Sequence, residues 1–138
     1  MGCKILLVED SPTDAAIMLA AFESIGYADN IRVAQNGIEA IDFLCGIDEG
    51  GEWPSLILLD LNLPKRNGLE VLEEIKTNAR WRSIPTVVFS SSSSANDVSN
   101  SYWHHANAYI AKPRELSQYE LVAQQLHSFW LKSAELPE

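Results

Sequence analysis

Five side chains of this sequence have complementary chemistry, and each stands where an aliphatic run ends. Glu9 and Asp10 follow Ile5–Val8, Asp60 follows Leu56–Leu59, Ser90 follows Thr86–Phe89, and Lys112 follows Ala108–Ala111. A continuous aliphatic run reads as a strand buried on both faces, the habit of a parallel sheet covered by helices. A carboxylate at the end of such a strand stands at the rim, where open α/β sheets bind ligands. Carboxylates gathered at one rim repel one another and raise each other's pKa. A divalent cation removes that cost, and an all-oxygen donor set suits Mg²⁺. With a hydroxyl and an ammonium sharing the rim, the acids read as a site rather than as solvated strand ends.

The elements that must position these groups are legible. Between the runs, with a fifth at Ile31–Ala34, lie stretches of helical spacing: Ala15, Met18, Phe22 and Ile25; Leu69, Leu72 and Ile75; Tyr119, Val122, Leu126 and Phe129. Ser11–Asp14, Asn36–Glu39, Asn67–Glu70, Ser94–Asp97 and Ser117–Glu120 each read as a capping residue with an acid three positions later. The side-chain oxygen accepts an orphan amide, and the acid faces the positive end of the helix dipole. Pro12 fits the first helical position behind Ser11, where its missing N–H costs nothing. The reading is α/β: a (βα)₅ doubly wound, five-stranded parallel sheet with right-handed crossovers.

Composition limits the alternatives. With 138 residues, 46% of them hydrophobic and 21% charged, the chain reads as a single domain over 1–138. No apolar run approaches the roughly 20 residues that span a bilayer. The opening MGCKILLVEDS turns acidic too soon for a secretory signal, and Cys3 and Cys45 suit reduced thiols, so a cytoplasmic location is expected. A formal charge of −9 argues against nucleic acid or an anionic membrane as partner.

The set ED after the first strand, DLNLP after the third, FSSS at the fourth and YIAKP at the fifth resembles the receiver domain of two-component response regulators, over about residues 4–131. The resemblance implies a flavodoxin-like fold and a switch rather than an enzyme. Asp60 is then the residue that takes a phosphoryl group from a sensor histidine kinase, forming an acyl phosphate. Asp10 and Asp60 would ligate Mg²⁺, for which Mn²⁺ can substitute, with the backbone carbonyl of Asn62 as a third ligand and Glu9 holding a metal-bound water. Lys112 would pair with Asp60 at rest and with a phosphoryl oxygen afterwards, Ser90 would bond another oxygen, and Tyr109 would swing inward as Ser90 moves. The Lys112–Pro113 bond is expected to be cis.

Within that family, GIDEGGEWPS, DLNLPKRNG, EIKTNARWRSIP and HSFWL make the chain most similar to the stand-alone regulators paired with bacterial phytochrome kinases. A histidine phosphotransferase or another downstream protein is the implied target. A homodimer through the fourth helix, fifth strand and fifth helix is also expected. In that reading Val98, Tyr102 and Ala106 face inward and leave Trp103 outward, while Val122, Leu126 and Phe129 leave Trp130 turned about 100° away. Two rivals share the sheet. A flavin-mononucleotide electron carrier needs a phosphate cradle where this chain has EDSPTD, and an aspartyl phosphatase usually has a second acid where this chain has Asn62.

Overall fold

The computed structural model describes residues 3–27, 29–47, 51–64 and 67–137; residues 48–50 and 65–66 of the connections quoted above lie outside these. Strands β1 (Ile5–Val8), β2 (Ile31–Ala34), β3 (Leu56–Leu59), β4 (Thr86–Ser90) and β5 (Ala108–Ala111) alternate with helices α1 (Pro12–Ser24), α2 (Gly37–Cys45), α3 (Gly68–Thr77), α4 (Ala95–Trp103) and α5 (Leu116–Ser128). The strands pair in parallel in the order β2-β1-β3-β4-β5. The winding reverses between β1 and β3, which opens a crevice at their carboxyl ends.

Side-chain alternation along each strand divides the core into two layers. Leu6, Val8, Ile57, Leu59 and Val88 pack with the apolar stripes of α2 and α3. Ile5, Leu7, Leu56, Leu58, Val87 and Phe89 pack with those of α1 and α5. Each such aliphatic contributes about 1.5–3 kcal/mol by leaving water, so the sheet's register is held firmly from both sides.

Four of the five expected caps form: Ser11, Asn36, Asn67 and Ser94 accept from the amides of Asp14, Glu39, Glu70 and Asp97. The fifth does not. Gln118 N–H bonds the Glu115 carbonyl at 3.1 Å, so α5 closes its first turn before Ser117 and is capped at Glu115 without a side-chain bond.

Three further expectations are corrected. Trp130 packs half-buried against the α1–α5 layer, and Phe129 is 54% exposed instead. The chain leaves α geometry there for a π-helical turn, Phe129–Ser133, in which Ala134 N–H bonds the Phe129 carbonyl five residues back. The 100° step of an α-helix does not extrapolate through such a turn. In α4 the buried residue is Ser101, whose hydroxyl bonds the Asp97 carbonyl; Tyr102 is exposed, Val98 is half-buried, and Ala106 is buried just beyond the helix. Trp103 does point outward, 80% exposed. The Lys112–Pro113 bond is trans, and no cis peptide occurs among the described residues. Trans is the favoured X–Pro isomer by about 0.5–1 kcal/mol, and here it is compatible with Lys112 reaching its partners.

At the opposite end of the sheet, the Lys76 ammonium bonds the carbonyls of Arg82 and Ile84 and Asn107 Oδ1 at 2.9–3.0 Å. It thereby joins α3 to the chain entering β4 and β5. Burial lowers Lys76 from 10.5 to about 8. Between those values the unfolded chain binds the proton and the folded chain does not, so this group's contribution to stability rises with pH. Wild type should therefore gain stability relative to Lys76→Met between pH 8 and 10. Urea unfolding at several pH values checks this; a constant difference, or one that shrinks with pH, would refute it.

Candidate functional site

The ladder hydrogen bonds continue past the strands and carry the chemical groups with them. Glu9 N–H bonds the Ala34 carbonyl, Asp60 N–H the Val8 carbonyl, and Lys112 N–H the Ser90 carbonyl, at 2.8–3.1 Å. Glu9, Asp60, Ser90 and Lys112 are therefore held by sheet geometry at one rim.

There Lys112 Nζ lies 2.6 Å from Glu9 Oε1, 2.9 Å from Asp60 Oδ2 and 2.9 Å from Asp14 Oδ2. The second oxygens of Glu9 and Asp60 are also engaged: Ser11 N–H donates to Glu9 Oε2 at 3.2 Å and Asn62 N–H to Asp60 Oδ1 at 3.1 Å. Glu9, Asp60 and Ser90 are buried, and the Lys112 side chain is 6% exposed. Ser90 Oγ accepts from Ser92 N–H at 3.4 Å.

Burial, opposed by the Lys112 hydrogen bond and reinforced by the Asp60 charge, pushes Glu9 up to about 7. Burial favours a neutral amine at Lys112, but its bonds to Glu9, Asp60 and Asp14 outweigh this and hold it above the ordinary lysine range.

The carboxylate oxygens of Glu9, Asp10 and Asp60 lie within 4.8 Å of one another, with Asp10 open to solvent. At an effective dielectric of about 20, each charged pair at that separation repels by about 3 kcal/mol. One ammonium among Glu9, Asp10, Asp14 and Asp60 leaves the rim strongly negative. An open, all-oxygen, over-charged donor set fits a small hard divalent cation.

Two site residues escape the sequence reading, which assigns Asp14 and Asp97 only to helix caps. Asp14 reaches Lys112, and Asp97 Oδ2 accepts a short bond from the Ser92 hydroxyl. Both sit in first turns that start at the rim, which is the signal available in the sequence. Tyr109 is half-buried; its hydroxyl donates to the Ser92 carbonyl at 2.7 Å and its N–H to Tyr102 Oη at 3.1 Å. The loop after β4 is thus tied to β5 and α4 through Ser92.

Residues 5–124 match the response regulator receiver domain. The chain belongs to that family. It is 41% identical to response regulator Rcp1 of Synechocystis, over 96% of this chain and 92% of that one. It is 39% identical to the probable methanogenesis regulatory protein FilR2 of Methanothrix harundinacea, over 92% and 83%. Among solved structures it is similar to the Mn²⁺-bound form of Rcp1, with TM-score 0.85, 40% identity and coverage of 97% and 98%. It is likewise similar to the phosphorylated cyanobacterial phytochrome response regulator RcpA, with TM-score 0.89, 38% identity and both chains covered in full. The receiver domain accounts for the fold and for the acidic pocket of Glu9, Asp10 and Asp60. No helix among the described residues is long and apolar enough to cross a membrane.

Gly68 fixes the far wall of the receiver's site. A Cβ there would lie 2.4 Å from both the Asp60 carbonyl oxygen and Leu61 Cα, and Gly68 N–H bonds the Leu61 carbonyl at 2.8 Å. Gly68→Ala must force backbone apart, at about 1–3 kcal/mol, lowering the melting temperature by about 3 °C or more. Thermal unfolding that coincides with wild type would show that the loop yields freely.

Proposed function

We propose that this receiver is a phosphorylation-controlled interaction switch whose acceptor is Asp60. The observation that carries the reading is the buried Lys112 ammonium shared by Asp60 and Glu9 at the rim where Asp10 lies open. A carboxylate oxygen of Asp60 forms a bond to phosphorus as the P–N bond of a kinase phosphohistidine breaks. The electron pair returns to the imidazole nitrogen, which takes a proton. Lys112 moves an N–H from Asp60 to a phosphoryl oxygen, and Ser90 supplies a hydroxyl to another. Asp10 and Asp60 would hold Mg²⁺ or Mn²⁺, with the Asn62 carbonyl as a further ligand and Glu9 acting through water; such a cation would neutralise charge on the transferred group. The similarity to RcpA, a phytochrome response regulator, supports a phytochrome histidine kinase as donor; a histidine phosphotransferase or another protein would then receive the signal.

Acetyl phosphate or phosphoramidate with Mg²⁺ should add a single phosphoryl group by mass, and Asp60→Asn should abolish it. Labelling that persists in Asp60→Asn, or that proceeds equally in chelator, would overturn the assignment.

We further propose that the output surface of α4, β5 and α5 pairs two copies. Trp103 and the half-exposed Tyr102 give α4 an aromatic patch facing water, and a symmetric pairing covers one patch with its twin. Trp130, seated against its own core, is a poor interface residue. Sedimentation at micromolar concentration should show a two-subunit species that Trp103→Ala shifts toward monomer. A strictly monomeric wild type, with and without phosphate, would rule the pairing out.

A further inference from the structure

Lys112 is held by one carboxylate more than its pairing with Glu9 and Asp60 requires. An ammonium has three N–H donors, and Glu9, Asp14 and Asp60 accept one bond each. A phosphoryl oxygen gains an N–H from Lys112 only when one of these partners lets go. Asp60 is the partner that changes, because phosphorylation converts its carboxylate into an acyl phosphate, whose uncharged carbonyl oxygen accepts more weakly than a carboxylate oxygen. Glu9 and Asp14 are not modified in that step and stay in place as acceptors.

Both are fixed to the same short segment. Ser11 N–H bonds Glu9 Oε2 at 3.2 Å, and Ser11 Oγ accepts from Asp14 N–H at 3.2 Å. Pro12 then locks the first turn of α1 behind the cap. With Glu9 alone, an ammonium on its flexible stem swivels about a single bond. A second anion, 2.9 Å away on a capped helix, leaves the third N–H one direction.

We propose that Asp14 is a positioning residue: together with Glu9 it aims the remaining N–H of Lys112 at the incoming phosphoryl group. The proposal rests on the phosphoacceptor reading of Asp60. It has an opposite-signed competitor in plain charge. Asp14 adds negative charge to an acidic rim, and if charge were its whole effect, removing it would let an anionic donor react faster. Orientation predicts the reverse. It also ranks Asn above Ala, since Asn keeps a neutral acceptor at that place.

The experiment is phosphorylation of the full chain by phosphoramidate at saturating Mg²⁺, followed by mass, for wild type, Asp14→Asn and Asp14→Ala. The limiting rate should fall roughly ten-fold in Asp14→Ala, and Asp14→Asn should recover part of the loss. The side-chain ¹⁵Nζ resonance of Lys112, sheltered from exchange in wild type, should broaden in Asp14→Ala and less so in Asp14→Asn. Because the Ser11–Asp14 cap uses the backbone amide, both variants should melt close to wild type. Limiting rates equal to or faster than wild type overturn the proposal, as does an equal slowing in both variants with the Lys112 resonance unchanged. A wild type that takes up no phosphoryl group overturns the underlying reading instead.

Discussion

A lysine 6% exposed, with three carboxylates within 2.9 Å, is the constraint on which the rest of the site depends. Glu9 and Asp60 are buried at the ends of strands that are themselves covered on both faces, so neither charge is tolerable without a partner. Breaking such a cluster by removing its cation leaves uncompensated buried charge, at about 3–5 kcal/mol. Lys112 reaches them because β5 joins β4 in a register that puts it one residue past Ser90↔Ala111. A slip of one residue would turn it to the other face. Yet one ammonium does not balance the rim, and that shortfall fits a divalent cation and, under the proposed function, would let a phosphoryl group approach beside it.

The parts of this arrangement set by hydrophobic pattern were readable from residues alone. The five aliphatic runs coincide with the strands, β4 extending one residue further to Ser90; the runs of β1, β3 and β4 are buried on both faces and have no competing way to satisfy backbone and side chain together, while β2 and β5 are the half-exposed edges of the sheet. The rim groups followed from the ends of those runs. What was not readable depends on direction rather than on type. Asp14 and Asp97 satisfy the capping pattern with their backbone amides, leaving their carboxylates free to point elsewhere. Only the placement of α1 and α4 at the rim sends those carboxylates to Lys112 and Ser92. Trp130 shows the same limit, since a helical stripe predicts burial only while the chain remains α-helical, and the π turn at Phe129 ends that. The trans Lys112–Pro113 bond reflects a preference so small that local type alone does not decide it.

The loop after β4 shows how a small change at the rim can reach an outer surface. Ser92 donates its N–H to Ser90 and its hydroxyl to Asp97, and accepts from Tyr109 through its carbonyl. It therefore joins β4, α4 and β5 at one residue. α4 buries only Ser101, so little apolar packing resists its movement. The two core layers beneath are closely packed and do not deform by degrees. Under the proposed function, a pull on Ser90 toward an oxygen gained at Asp60 would be relieved where resistance is least, through Ser92 into α4 and Tyr109. Driving such a change from 1:99 to 99:1 takes about 5.5 kcal/mol of differential stabilisation. Charge-assisted bonds from Lys112 and the cation, with the Ser90 hydroxyl, are of the kind that supplies it. The buried strand ends hold the charges, α4 is the helix least anchored by apolar packing, and Ser92 is where the two meet.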